Sequence, residues 1–70
     1  MNRVEKIRKR IVLSRTAKGY TQAYMGEQLH ISQIAYHKLE SGKTALKIKT
    51  LLDLATILEV EETYLLGYDD

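Results

Sequence analysis

The 70-residue chain contains no cysteine and no proline, and it has only four glycines. Without cysteine it has neither a disulfide nor a thiolate metal ligand, so a domain this small depends on its hydrophobic core or on oligomerisation for stability. It has five tyrosines but no tryptophan or phenylalanine, and no apolar run exceeds three residues. Such runs are too short to span a bilayer or to form the centre of a signal peptide. We therefore expect one small, soluble, cytoplasmic domain with no membrane partner.

The charges are unevenly distributed along the chain, although the formal net charge is only +2. Residues 1–20 carry seven basic side chains and one acidic side chain, whereas residues 51–70 carry six acidic side chains and no basic one. Residues 21–50 carry four basic and two acidic side chains. A basic N-terminal part and an acidic C-terminal part predict two surfaces with different partners.

The spacing of apolar residues predicts an all-α domain, because it follows the helical period and shows no strand-like alternation. Thr21 and Ser32 are expected to cap two of the helices, and glycines follow three of them. The predicted helices span residues 4–18, 22–29, 33–41, 48–58 and 61–66.

The apolar stripes of these helices are expected to form the core. In the first helix the stripe consists of Val4, Ile7, Ile11 and Ala17, with polar Ser14 among them. In the second it consists of Met25, Gly26 and Leu29. In the fourth it consists of Ile48, Leu51, Leu52, Ala55 and Leu58.

The second and third helices are separated only by His30 and Ile31 before the cap at Ser32. So tight a connection forces the two helices to cross at a large angle, which requires a small residue, Gly26, where their backbones approach. The third helix turns Ala35, Tyr36 and Leu39 inward and exposes Gln33, Ile34, His37 and Lys38. These side chains suit base reading in a major groove, since glutamine pairs with adenine, lysine with guanine and an aliphatic group with the thymine methyl.

Residues 21–43 resemble the helix-turn-helix of the Cro/phage-repressor (Xre-type) family. The resemblance is carried by the opening Thr21-Gln22 and by the closing Leu39-Glu40-x-Gly42-Lys43. It extends over residues 7–66. It implies a compact five-helix bundle of the phage-repressor DNA-binding-domain type over residues 1–70, with the helix-turn-helix at about 21–41 and a short acidic tail at 67–70.

The resemblance also implies roles for individual residues. The expected base-reading residues are Gln33, Ile34, His37 and Lys38, of which the resemblance implies all but His37. The expected phosphate contacts are Thr21, Gln22, Ser32, Ser41 and Lys43, of which the resemblance implies Gln22 and Lys43. Arg15 and Glu40 match a structural ion pair, and the expected dimer contacts are Tyr64, Leu65 and Leu66.

Four residues depart from the family pattern. His30 replaces a turn glycine at a position where a left-handed backbone is often required. Ser14 replaces a core leucine, Ala45 a proline, and Lys47 a capping serine, threonine or aspartate. None of the four lies on the base-reading face.

Together these patterns predict a sequence-specific regulator, a repressor, which binds double-stranded DNA as a homodimer on a two-fold operator at the nucleoid of a prokaryotic or phage system. The alternative is an antitoxin or other protein-interaction module that docks a partner through its acidic C-terminal segment, residues 59–70. No enzyme, cofactor or metal site is predicted, because no nucleophile–base spacing or phosphate loop occurs and the two histidines lie on opposite sides of the turn.

The basic cluster of the first helix leaves three readings open: a solvated face, a phosphate-contacting arm or a membrane-surface helix. The membrane reading is disfavoured because the chain has no tryptophan or phenylalanine. The cluster consists of Arg3, Lys6, Arg8, Lys9 and Arg10.

Overall fold

Five helices form the regular structure of the chain in a computed structural model that describes residues 2–68. They are α1 (Arg3–Ala17), α2 (Gln22–Leu29), α3 (Gln33–Ser41), α4 (Ile48–Leu58) and α5 (Glu62–Leu66). The described residues contain no strand, and the all-α prediction is confirmed. Asp69 and Asp70 of the predicted acidic tail lie outside the described residues. None of the helices within residues 2–68 is both long and apolar enough to cross a membrane.

Side-chain caps begin the first three helices. Thr21 Oγ1 accepts from the Tyr24 amide, and Ser32 Oγ accepts from the Ala35 amide, both at 3.0 Å, as predicted. Asn2 Oδ1 accepts from the Glu5 amide at 2.8 Å, a cap that the sequence analysis missed. Each such cap stabilises a helix by about 1 kcal/mol. The residues before α4 and α5 supply no capping side chain.

Every helix contributes to the core. Tyr36, Met25, Leu58 and Leu65 have no exposed surface, and Leu54 is 1% exposed. The remaining core residues are Ile7, Ile11, Leu51 and Ala55. Ser14 is buried beside them, at a position where the family has leucine.

The predicted core was wrong at the edges of two helices. Ile48 is 77% exposed and Leu52 is 43% exposed, whereas Leu54, which was not predicted, is buried. The helical period defines a stripe that is wider than the strip of α4 covered by α1, α2 and α5. Ile48 and Leu52 lie on the uncovered edge. Val4 and Ala17 are likewise exposed near the two ends of α1.

Candidate nucleic-acid interface

The α2–α3 connection is a tight turn that brings the two helices into close contact. His30 ends α2 in the left-handed conformation, with φ of 60°, and the Ile31 amide donates to the Gly26 carbonyl at 2.9 Å. A Cβ atom on Gly26 would lie 2.9 Å from the Ile31 oxygen and 3.0 Å from the Ser32 oxygen. The prediction that the crossing requires a small residue at position 26 is therefore confirmed. The left-handed backbone at His30 also occurs as the family pattern implied.

The outer face of α3 exposes all four residues that were predicted to read bases. Gln33, Ile34, His37 and Lys38 are exposed, while Tyr36 on the opposite face is completely buried. Ile34 is 69% exposed, so its aliphatic side chain is accessible to a partner outside the chain. The face combines amide, ammonium, imidazole and aliphatic groups on a rigid element.

Glu40 fixes the position of α3 because its carboxylate accepts hydrogen bonds from three helices. Oε2 accepts from Arg15 Nε and from the Tyr36 hydroxyl, both at 2.6 Å. Oε1 accepts from Gln22 Nε2 at 3.0 Å and from Arg15 Nη2 at 3.2 Å. Only 7% of the Glu40 side chain and 14% of the Arg15 side chain are exposed. The pairing implied for Arg15 and Glu40 is present in the structure, and Tyr36 and Gln22 extend it.

The electrostatics of this network keep Glu40 charged and Tyr36 neutral. Burial disfavours the carboxylate, but the hydrogen bonds from Arg15, Tyr36 and Gln22 outweigh burial and hold the pKa of Glu40 below its ordinary value. Burial, reinforced by the hydrogen bond to Glu40, raises the pKa of Tyr36 well above its ordinary value. The Tyr36 hydroxyl therefore remains a donor throughout the physiological pH range.

The predicted phosphate contacts lie at the ends of α2 and α3. The Gln22 amide uses one N–H on Glu40, and a second N–H remains, since a side-chain amide carries two donors. The hydroxyl oxygens of Thr21 and Ser32 accept from amides of their own helices, which leaves each hydroxyl proton able to donate. Ser41 and Lys43 are exposed at the far end of α3.

Three arginines of the basic cluster contact backbone carbonyls near the C-terminal ends of other helices. Arg8 donates to the carbonyls of Leu39 and Thr44, Arg3 Nη1 to that of Leu66, and Arg10 Nη1 to that of Tyr64. The Arg10 guanidinium also lies 4.5 Å from the centre of the Tyr64 ring. The sequence left open a solvated face, a phosphate-contacting arm or a membrane-surface helix, and none of these interpretations includes contacts with carbonyls of the same chain. The partners are 31 to 63 residues away in the chain, so no local pattern signals them.

The predicted dimer contacts do not form one exposed surface. Leu65 has no exposed surface and packs in the core of its own chain, so the prediction of a partner contact for Leu65 is wrong. Its helical position turns it towards α1 and α4, whereas Tyr64 and Leu66 are only partly buried. Tyr64 lines an apolar groove of about 580 Å³ together with Leu13, Ala17, Leu58 and Val60.

The charges separate at the two ends of α4. The exposed lysines Lys38, Lys43, Lys47 and Lys49 occupy α3, the following loop and the first turn of α4. The exposed carboxylates Glu59, Glu61 and Glu62 occupy the other end, where Glu59 also pairs with Lys18 at 2.5 Å. Within residues 2–68, no three His, Asp or Glu side chains are placed to share a metal ion.

Two short helices crossing at a tight turn, with an exposed polar face on the second, define a helix-turn-helix domain. Residues 13–65 match the family model described as helix-turn-helix. The chain belongs to the Cro/phage-repressor (Xre-type) helix-turn-helix family, and the resemblance drawn from the sequence is confirmed.

A relative in Bacillus subtilis strain 168 supports this assignment. The chain is 42% identical over 57 residues to the SPbeta prophage-derived uncharacterized HTH-type transcriptional regulator YonR. The matched stretch covers 81% of this chain and 53% of the relative, so the chain spans about half the length of the curated relative it matches. No solved structure matches the chain significantly.

Proposed function

We propose that the chain is a sequence-specific DNA-binding transcriptional regulator that inserts α3 into the major groove of double-stranded DNA. The observation that carries this proposal is the exposed face of Gln33, Ile34 and Lys38 on a helix held rigidly by Glu40. A helix fits the major groove, and bidentate amide and ammonium contacts distinguish base pairs there. The role is binding rather than catalysis, and we place it in the cytoplasm at the nucleoid.

We further propose that the chain acts as a homodimer on a two-fold operator and represses transcription. The partly buried Tyr64 and Leu66 on α5 are the proposed dimer contacts, without Leu65. In such a dimer the two copies of α3 enter successive major grooves, with half-sites about one helical turn, roughly 34 Å, apart.

The test is selection of bound duplexes from a randomised library, followed by sedimentation of the complex to count protomers. We expect a preferred sequence with two symmetric half-sites and two protomers for each duplex. Recovery of no preferred sequence would refute sequence-specific binding. One protomer on a full site would refute the homodimer but leave base reading intact.

Substitutions separate base reading from phosphate contact. Gln33→Ala should cost about 1–3 kcal/mol of binding free energy and relax the preference at one base pair. Lys43→Ala should weaken binding to all sequences alike and reduce the salt slope by about 1. Gln28→Ala is the matched control, because Gln28 is an exposed glutamine on α2, outside the proposed interface. Equal effects of Gln33→Ala on all duplexes would contradict the base-reading role.

A second candidate function is docking of a basic protein partner, as an antitoxin docks its toxin. The apolar groove beside Tyr64 favours it, because two carboxylates, Glu59 and Glu61, and only one cation, Lys18, line this groove and give it a net negative charge. Recovery of a stoichiometric basic partner by the full chain, lost in Leu13→Asp, would support this function. The same partner bound equally by Leu13→Asp would place the contact elsewhere.

A further inference from the structure

The loop that carries Lys43 between α3 and α4 has little support of its own. The amides of Gly42, Lys43 and Thr44 all donate to one acceptor, the Lys38 carbonyl, at 3.1, 3.0 and 3.4 Å. Lys47, which precedes α4, supplies no side-chain cap. The Ser41 hydroxyl donates to the same Lys38 carbonyl at 3.4 Å. A carbonyl oxygen has two lone pairs, so four donors that share it each form a weaker bond than one donor alone would. The loop therefore needs a contact from outside to hold one conformation.

Arg8 of α1 supplies that contact. Its guanidinium donates to the Leu39 carbonyl in the last turn of α3, and Nη2 donates to the Thr44 carbonyl in the loop at 2.9 Å. A planar guanidinium with donors in a fixed fork holds its two acceptors at a set separation, which a lysine ammonium does not. The Cβ position of Gly42 lies 3.7 Å from Arg8 Nε, at ordinary contact distance, so the side chain packs against the turn as well.

We propose that Arg8 is a positioning residue that fixes the loop so that Lys43 meets a DNA phosphate. This inference rests on the proposed function, and it assigns Arg8 no contact with DNA. Arg8 reaches the end of α3 and the loop at the same time, so it sets the loop relative to the helix that enters the groove. The basic charge of Arg8 thus serves binding indirectly.

Arg3 provides a matched control, because it makes the same kind of contact elsewhere. Its Nη1 donates to the Leu66 carbonyl of α5 at 3.0 Å, and its guanidinium lies 5.1 Å from the centre of the Tyr68 ring. Removal of either arginine takes one positive charge from α1 and removes the hydrogen bonding of a guanidinium to a carbonyl near the end of another helix; this contact is called a clamp below. Only the Arg8 clamp touches the loop of Lys43.

The first experiment measures affinity for a duplex that carries one half-site of the selected sequence, so that the proposed dimer contacts on α5, which Arg3 touches, do not contribute. The proteins compared are Arg8→Met, Arg3→Met, Lys43→Ala and the double variant Arg8→Met/Lys43→Ala. We expect Arg8→Met to weaken binding about threefold to tenfold, and Arg3→Met to change it less than about twofold. In the Lys43→Ala background, Arg8→Met should have no further effect, because the contact it positions is already gone. The salt slope should fall by about 0.9 for either single variant and no further for the double variant.

Three outcomes of this experiment would overturn the proposal. They are an unchanged affinity of Arg8→Met, an equal loss in both backgrounds, and an equal loss for Arg3→Met. An equal loss in both backgrounds means that Arg8 acts independently of Lys43, for instance by touching a phosphate itself.

The second experiment needs no DNA and uses Arg8→Lys. This variant keeps the positive charge and most of the side chain, so it should fold even if Arg8→Met does not. Amide hydrogen exchange at residues 43–45 should be about threefold or more faster than in the unaltered chain, with exchange of the α4 core amides unchanged. Unchanged loop exchange would overturn the role of Arg8. If the unaltered chain selects no duplex while the loop exchange responds as expected, then the proposed function fails and the Arg8 clamp stands.

Discussion

Within residues 2–68, two helices end in a left-handed residue that is not glycine, and the residue four positions earlier is glycine in one helix and alanine in the other. At the α2–α3 junction His30 is left-handed and the Ile31 amide donates to the Gly26 carbonyl; at the α4–α5 junction Glu59 is left-handed and the Val60 amide donates to the Ala55 carbonyl. Both are Schellman motifs with a non-glycine residue at the left-handed position. Gly26 admits no Cβ, whereas Ala55 occupies the corresponding position with its methyl group buried.

The comparison shows that the turn alone does not make a recognition unit. The first junction adds the Ser32 cap, a close backbone contact and the Glu40 network, and it leads into a nine-residue helix with an exposed polar face. The second has no capping side chain, leads into a five-residue helix and is braced by arginine contacts to carbonyls. Close approach and a buried ion pair make the first helix pair rigid enough to present side chains.

The largest expected effect comes from breaking the ion pair that belongs to the first junction. Glu40→Gln leaves Arg15 buried without a counter-charge and should cost about 3 kcal/mol of unfolding free energy, measured by urea denaturation. Glu59→Gln, which breaks the exposed pair with Lys18 at the second junction, should change stability little. Similar losses in the two variants would contradict the difference drawn between the junctions.

The same pair gives a pH dependence with a definite sign. The pKa of Glu40 is lower in the folded chain than its ordinary value of 4.5, so folding favours the charged carboxylate. Its stabilisation is complete above that value and is lost as the pH falls through the lower pKa of the folded state. The stability gap between the unaltered chain and Glu40→Gln should therefore be constant near neutral pH and shrink below about pH 4.5. If the stability difference between the two proteins grew in acid instead, the pKa of Glu40 would be raised by folding and not lowered, which would contradict this prediction.

An intermediate effect should come from exchanging the residues that distinguish the two turns. Helix propensity alone predicts that Gly26→Ala stabilises α2 by about 1 kcal/mol. The structure predicts the opposite, a loss of about 2 kcal/mol, because the added methyl meets backbone oxygens that cannot rotate away. Ala55→Gly should cost about 2 kcal/mol, about 1 kcal/mol through helix propensity and about 1 kcal/mol through loss of the buried methyl group. Thermal unfolding followed by circular dichroism checks both, and a more stable Gly26→Ala would refute the close approach.

The smallest effect should come from relieving the left-handed residues. His30→Gly removes a side chain from a backbone with φ of 60° and should stabilise the chain by about 1 kcal/mol. Glu59→Gly relieves the same conformation but also loses the contact with Lys18, so its melting temperature should rise less. A lower melting temperature for His30→Gly would mean that the imidazole contributes more than the backbone strain costs.

Local patterns predicted most of this fold but not how its parts meet. The helix bounds, the need for Gly26 and the exposed face of α3 all follow from spacing, caps and glycines within one or two helices. The burial of Leu54 instead of Ile48 depends on which side of α4 its neighbours cover. The arginine contacts and the inward position of Leu65 depend on the three-dimensional packing, for which the one-dimensional sequence carries no periodic signal.

The charge separation along α4 runs against the helix macrodipole. Carboxylates are favoured near the N-terminus of a helix and cations near its C-terminus. In α4 Lys47 and Lys49 occupy the N-terminal end, and Glu59 and Glu61 lie at the C-terminal end. The charged side chains at both ends of α4 therefore interact unfavourably with the dipole of the helix. In the proposed complex a phosphate beside the N-terminal end would supply the negative charge that the helix itself lacks there, so DNA binding and the stability of α4 reinforce each other.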